Sequence, residues 1–420
     1  MEDLLFLTHR IPYPPNKGDK IRSYHLLKHL IQNYRVHLGT FIDDPDDRQH
    51  IDHVKGLCDS THFAVLKPNI ARLRSLGGLI SNQPLTIDYY RDPGLQTWVE
   101  RVMHELPIKR ILVFSSAMAQ YVLQAGKVLR IIDFVDIDSD KWLQYAHGKS
   151  WPMRWLYRRE SRLLLNYERE VAREFDTSLF VSKAEADLFK QLAPESAAKT
   201  GFFNNGVDTD YFSPSRSYPN PYPAQSLPMV FTGAMDYWPN VDAVQWFARE
   251  ILPSVLAQNP CAFFYIVGSS PVAAVRALAE FDGVVVTGMV PDIRPYLAHA
   301  QLAVAPLRIA RGIQNKILEA MAMAKPVIAT AQALEGISAN TGKEVLLARD
   351  SGEFTAIIAS LLKHPLDAIG KAARVRTLAD YSWEFNLKHV DELLTPKATL
   401  LNTAATGSQS IELTTTGANA

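Results

Sequence analysis

Short apolar runs alternate with amphipathic stretches along most of the chain. In the first half the runs are LLFLTH, VHLGTF, HFAVL, RILVFSS, VLRIIDFV, TSLFVS and TGFFN; in the second they are MVFTGA, AFFYIVG, VVVTGMV, LAVAPL, PVIAT and EVLLA. Continuous apolar strands separated by helices predict parallel sheets covered on both faces. No solenoid-type repeat is present. The pattern predicts an α/β protein with two doubly wound, Rossmann-like domains around a cleft, and ligands at the carboxyl ends of the strands. Asp210–Pro228 is rich in proline and polar residues, which continue neither a helix nor a central strand. It reads as a linker, over 210–228, between domains at 1–209 and 229–380. A last helical stretch covers 381–395. Residues 396–420, rich in Ser, Thr, Gly and Ala, read as a disordered tail.

The richest chemistry lies in Arg308–Thr330, RIARGIQNKILEAMAMAKPVIAT. It reads as a loop, a short helix, a turn and a buried strand. Gly312 allows close approach of a ligand to the backbone. The helix is predicted to start at Gln314 or Asn315, where unpaired N–H groups and the positive dipole end suit a diphosphate. Lys316 and Glu319 share one helix face. They form either a plain i,i+3 ion pair or a sugar-nucleotide site, with Lys316 on the phosphates and Glu319 on the ribose hydroxyls. Arg308, Gly312, Ile313, Gln314 and Asn315 would then line the approach. Gly233, Gly268 and Gly288 end three successive strands, the last followed by Met289 and Val290. Each could be an ordinary β–α turn; together, ahead of this helix, they point to a binding site.

The N-terminal loop, Pro12 to Asp19, precedes a helix over Lys20–Tyr34. Gly18 would turn the backbone beneath a ligand, and Arg22 would point from the first helical turn towards the loop. Asp133, Asp136, Asp138 and Asp140 crowd into DFVDIDSDKW. Carboxylates this close raise one another's pKa when partly buried. A single loop offers few ligands for a divalent ion, so no metal is expected, and Asp136 is taken as a polar contact to a sugar. His9 reads as a structural histidine that could also reach the cleft.

Charge narrows the function classes. Lys plus Arg and Asp plus Glu both number 44, against the basic balance of a nucleic-acid protein. Cys58 and Cys261 have neither metal nor disulfide spacing. The N-terminus has no signal-peptide pattern, and no apolar run is long enough for a membrane span. The expected location is the cytoplasm, either free or bound to the inner membrane face. From Met153 to Arg173, Arg154, Arg158, Arg162, Arg169 and Arg173 share one helical face, with Met153, Leu156, Leu163, Leu164, Tyr167 and Val171 opposite. That is either a solvated surface helix or, over 151–173 with Trp151 and Trp155, a dock for an anionic membrane surface.

The run LEAMAMAKPVIAT resembles the core signature of the GT-B glycosyltransferases of family 4, whose pattern is two glutamates eight positions apart and then E-A-M-A-x-G-x-P-V. FNNGVDTDYFSP and FTGAMDYWPN match in order. THRIPYPPNKGDKIRSYHLLKHL, DFVDIDSDKW and RGIQNKILEAMAM further resemble the sugar transferases of exosortase (PEP-CTERM) exopolysaccharide loci. The resemblance spans roughly residues 1–395. It implies a GT-B fold, with the last helix crossing back onto the first domain. The implied activity is transfer of a sugar from a nucleotide sugar, UDP- or GDP-linked, to a hydroxyl of a glycan or polyprenyl-linked acceptor, with retention and without a cofactor. It also implies that the Thr287–Val290 loop holds the nucleobase through backbone groups and that the N-terminal loop lies over the donor phosphates and the acceptor.

Three departures stand out. Arg311 occupies the position of the first glutamate, so donor-sugar recognition differs and Arg311 could meet a phosphate or a carboxylate. GAMDYWPNVDA lacks the usual Arg and Lys, leaving Lys316, Arg311 and Arg308 for the diphosphate. Ala324 replaces a glycine that would cap the helix. These departures keep two alternatives open: a catalytically inactive sugar-nucleotide-binding subunit, and a GT-B epimerase acting on a UDP-sugar.

Overall fold

The computed structural model describes residues 1–395 apart from 16, 148, 311, 312 and 364–366. The chain forms two compact units: Met1–Phe203 together with the chain from Leu387, and Asn204–Asn386.

The first unit includes, in chain order, β1 (Glu2–Thr8), α1 (Gly18–Asn33), β2 (Tyr34–Ile42), β3 (Ser60–Val65), α2 (Pro68–Ser75), α3 (Gly78–Ser81), α4 (Leu85–Tyr89), β4 (Arg110–Phe114), β5 (Leu129–Val135), α5 (Asp138–His147), α6 (Met153–Glu174), β6 (Thr177–Phe180) and β7 (Thr200–Phe202), with further helices at Ile51–Lys55, Pro93–Glu105 and Lys183–Leu192. Its seven strands run parallel in the order β3-β2-β1-β4-β5-β6-β7. All seven coincide with the apolar runs. Leu4 to Leu7 of β1 are fully buried, as a central strand covered on both faces requires. The order reverses between β1 and β4, the switch point at which doubly wound sheets open a crevice.

The second unit holds β8 (Leu227–Thr232), α7 (Trp238–Trp246), β9 (Ala262–Val267), β10 (Val284–Gly288), β11 (Leu302–Ala305), α8 (Asn315–Ala322), β12 (Val327–Ala329), β13 (Leu346–Leu347) and the start of α9 (Trp383–Leu394). Its sheet order is β10-β9-β8-β11-β12-β13, again parallel. The switch point lies between β8 and β11.

The proline-rich stretch 210–228 is not a free tether. Phe212 and Tyr222 are buried in the second unit's core. The Tyr222 hydroxyl donates to the Tyr296 carbonyl at 2.6 Å, and His299 Nε2 lies 2.8 Å from the Tyr218 carbonyl. Proline lacks an N–H, so such a segment can lie on a core without leaving donors unpaired. Past Leu387, α9 packs in the first unit: Arg110 Nε donates to the Leu394 carbonyl at 2.6 Å, and His29 Nε2 lies 2.8 Å from Asp391 Oδ1.

Helix α8 ends in a left-handed turn. Ala324 has φ 55°; its N–H donates to the Met321 carbonyl at 2.9 Å and that of Lys325 to the Ala320 carbonyl at 3.0 Å. This is a Schellman motif with alanine where glycine is favoured, because Cβ crowds the backbone at positive φ. Ala324→Gly is therefore expected to stabilise the second unit by about 0.5–1 kcal/mol. A denaturant midpoint that stays put or falls would refute the strain at this turn.

Candidate active site

The carboxyl ends of β8, β9 and β10 and the start of α8 enclose a pocket of about 470 Å³. Thr232, Gly233 and Ala234 follow β8; Val267, Gly268 and Ser269 follow β9; Met289 and Val290 follow β10. Asn315, Lys316 and Glu319 come from α8, and Asn240, Ile293 and Ile313 complete the lining. The two glycine turns are stacked so tightly that a Cβ on Gly268, at φ 157°, would sit 1.7 Å from the Gly233 carbonyl oxygen. Only glycine lets these strand ends approach, and their approach forms the pocket floor.

Lys316 does not form the i,i+3 ion pair. Its Nζ donates to Asn240 Oδ1 at 2.7 Å and lies 4.9 Å from the centre of the Phe231 ring. Asn240 Nδ2 in turn donates to the Ala234 carbonyl at 2.8 Å, so a side chain on α7 aims the ammonium. Burial pushes the Lys316 pKa down to about 8, against the pull of Glu319. Burial pushes Glu319 up to about 7, against the pull of Lys316. Both groups therefore change charge near neutrality. Gln314 stands at the N-cap of α8, and its side chain makes no capping bond. The Ile317 N–H already donates to the Gln314 carbonyl at 3.0 Å, so an anion at this helix start would meet the N–H groups ahead of it.

Residues 228–364 match a family model described as glycosyl transferases group 1. This segment is a glycosyl transferases group 1 domain. No functionally curated protein matches the chain. Among solved structures, sucrose-phosphate synthase from Thermosynechococcus elongatus matches with a TM-score of 0.62 and 18% identity, over 96% of this chain and 100% of that one. HepE from Anabaena, solved in complex with UDP, matches at 0.59 and 19%, over 93% and 99%. A glycosyltransferase from Rickettsia africae matches at 0.62 and 14%, over 94% and 100%. At these identities the likeness is one of fold, and the fold is GT-B.

The glycosyl transferases group 1 domain thus brings together Gly233, Gly268, Met289, Val290, Ile313, Asn315, Lys316 and Glu319 of the residues predicted from sequence. Gly288, at φ 68°, shapes the turn ahead of Met289 but does not line the pocket. Arg308 is also placed differently from expectation. Its Nε and Nη2 pair with both oxygens of Asp242, at 3.0 and 2.5 Å, beside Trp246, so its charge is already met. Arg311 and Gly312 lie outside the described residues. Among the described residues Lys316 is the one cation in the lining. Asn240 was not foreseen. The available signal was its place in the first turn of the helix that follows the Gly233 turn.

In the first unit the chief correction is Arg22, which does not point towards the loop. It is fully buried: Nε donates to Asp133 Oδ2 at 2.6 Å, Nη2 to Asp133 Oδ1 at 3.2 Å and Nη1 to the Phe203 carbonyl at 3.0 Å, with the guanidinium 3.5 Å over the Phe203 ring. A cation so held is a structural post rather than a phosphate ligand. Gly18 opens α1 in open space, with no atom within 4 Å of a built Cβ. Asp136 is half-buried and bonded to Lys141 Nζ at 2.8 Å. Burial would lower the Lys141 pKa, but Asp138 and Asp136 together raise it. The acidic loop therefore carries its own counter-ion. Beneath it Glu168, which the sequence reading passed over, is buried and accepts from Ser139 N at 3.1 Å and from its hydroxyl at 2.5 Å. Burial pushes its pKa up to about 8. His9 stacks on Phe114 with ring centres 5.8 Å apart, and its Nε2 lies 3.3 Å from Asp19.

Proposed function

We propose that the protein is a glycosyltransferase that moves a sugar from a nucleotide sugar to a hydroxyl of a glycan or polyprenyl-linked acceptor. The observation that carries this reading is the Lys316–Asn240 arrangement at the N-terminus of α8, inside a group 1 domain. A half-buried, aimed ammonium and a helix N-terminus answer a diphosphate. Glu319, one turn further along the same face, answers vicinal ribose hydroxyls, and the Met289–Val290 turn takes the base through its backbone. The structures of HepE with UDP and with UDP-glucose support a uridine nucleotide as the first donor to try. In this reading the bond from the anomeric carbon to the diphosphate oxygen breaks and a bond to the acceptor oxygen forms on the same face. The acceptor proton passes to the departing diphosphate. Lys316 and the helix N–H groups stabilise the charge that develops there, and Asp136 makes a polar contact to a sugar. Arg311, in place of a glutamate, supports a donor with an acidic group, and equally a binding-only subunit. The N-terminal and acidic-loop motifs support a place in exopolysaccharide assembly of the exosortase type. The basic face of α6 supports peripheral contact with an anionic membrane.

The test is a thermal-shift screen of nucleotide sugars followed by turnover with acceptor. A selective shift lost in Lys316→Met and Glu319→Gln places the donor; binding without turnover favours the binding-only subunit. The pH dependence of affinity gives a second check. Above about 8 the free site loses the Lys316 charge, and below about 7 Glu319 takes up a proton and loses acceptor strength. Affinity for a nucleotide sugar, whose esterified diphosphate does not titrate nearby, is thus expected to peak between these values. Titration calorimetry should show Lys316→Met flattening the alkaline limb and moving the acid limb to higher pH, because Glu319 loses the pull of Lys316. An alkaline limb that survives in this variant would remove Lys316 from the diphosphate.

A further inference from the structure

Two segments of the first unit carry large apolar side chains at the surface. On α2, α3 and the turn between them, Ile70, Leu73, Leu76 and Leu79 are exposed, Leu73 to 72%. Around the α5–α6 junction, Leu143, Tyr145, Trp151, Met153 and Trp155 are exposed, Trp151 to 82% and Trp155 to 56%. Exposed apolar groups scattered singly are ordinary; clustered ones mark a surface that meets something.

The fold joins the two segments. Arg159 of α6 is buried, and its Nη2 donates to the Gly78 carbonyl at 2.5 Å, between Leu76 and Leu79. Glu160 beside it accepts from Leu85 N at 2.8 Å and Thr86 N at 2.9 Å. α3 and the turn after it are thereby pinned to the second turn of α6. Trp155 stands four residues before Arg159, so it lies on the same helix face one turn nearer the N-terminus.

Charge identifies the occupant. The chain as a whole is neutral, yet between Asp59 and Asp88 it has no acidic residue while Lys67, Arg72 and Arg74 are cations. Between Asp140 and Glu160 it again has none, while Lys149, Arg154 and Arg158 are exposed cations; Lys141 is paired with Asp136 and Arg159 is buried. Farther along α6 the basic face ends, since Arg169 pairs with Glu195 at 2.7 Å. The two acid-free segments are the two that carry the apolar tips. Exposed apolar and indole side chains beside the exposed cations Lys67, Arg72, Arg154 and Arg158, with the neighbouring carboxylates of Asp88 and Glu160 buried, match the headgroup and upper acyl region of an anionic bilayer. Among the described residues no helix is long and apolar enough to cross one.

We infer that α2–α3 and the α5–α6 junction form one face that inserts its apolar tips into an anionic phospholipid surface. This deepens the membrane reading of α6 by adding a hydrophobic anchor that charge alone does not supply. The test is flotation of the full chain with phosphatidylcholine vesicles, with and without phosphatidylglycerol, at low and high salt. Wild type should bind the anionic vesicles and keep part of that binding in high salt, because inserted apolar area is not screened. Leu73→Glu/Leu76→Glu, at exposed positions, should keep its circular dichroism and bind about tenfold more weakly at both salt levels. Arg154→Glu/Arg158→Glu should lose binding chiefly at low salt. If wild type binds and the leucine variant binds equally well, the insertion is overturned and the charge reading of α6 survives. If wild type binds no vesicle, both fall, while donor binding by the same sample still reads the transferase proposal. A lipid-free dimer that the leucine variant dissolves would give the face to a second copy and overturn the inference.

Discussion

Lys316→Met is expected to lower kcat for sugar transfer by roughly 10²–10³-fold, the usual cost of removing one aimed donor from a developing anion. Methionine keeps most of the volume of the lysine stem, so the effect should be chemical rather than a packing defect. Lys316 is the one described cation in the pocket lining, and Arg308 is already paired with Asp242. Asn240→Leu, which leaves the ammonium in place but unaimed, should give a smaller loss. Steady-state kinetics with donor saturating would check both. A Lys316→Met enzyme within about threefold of wild type would mean that the diphosphate is neutralised elsewhere, with Arg311 the first residue to change next.

Asp133→Ala is expected to destabilise the first unit by about 3–5 kcal/mol, because it strands the Arg22 guanidinium in a site without solvent. Asp133 and Arg22 are both fully buried and joined by two hydrogen bonds. Asp133 also accepts from Val135 N at 3.1 Å, so the pair ties α1 to the end of β5. Removing both charges, as Arg22→Met/Asp133→Leu, should restore much of the loss, since a buried pair itself contributes little net stability. The unfolding transition of the first unit, followed in urea, reads this. A single Asp133→Ala loss below about 1 kcal/mol would show that Arg22 finds water or another partner, and the post would not be one.

Those two side chains mark the boundary of what was legible in the sequence. All thirteen strands were legible, because buried parallel strands are written as unbroken apolar runs that polarity and turn residues interrupt. The lining of the α8 pocket was legible because glycine turns, a helix start and the i,i+3 spacing of Lys316 and Glu319 are local patterns. Arg22 was misread because burial of a cation depends on a carboxylate 111 positions away, and local pattern holds no trace of it. Arg308 was misread for the same reason, its partner Asp242 lying 66 positions away. Prolines at 210–228 mark a segment that is irregular as far as Ser226, while Leu227 and Pro228 already belong to β8; whether such a segment floats or packs depends on Phe212 and Tyr222 finding a core. The apolar tips of α2–α3 also escaped notice. Their spacing is that of any short amphipathic helix, and only exposure in the fold distinguishes them from core.

The division of the chain has a consequence for synthesis. The first unit is completed by residues from Leu387 onward, although its sheet ends at Phe202. On a ribosome the whole of 204–386 must be made before that last segment emerges. At about 5–20 residues per second the wait is roughly 10–40 s. Throughout it the nascent first unit lacks the hydrogen bonds of Arg110 to Leu394 and of His29 to Asp391. A gene fragment stopping at the end of the first sheet would reproduce that unfinished state permanently. The second unit, whose segment is continuous, is the part that should survive being expressed alone.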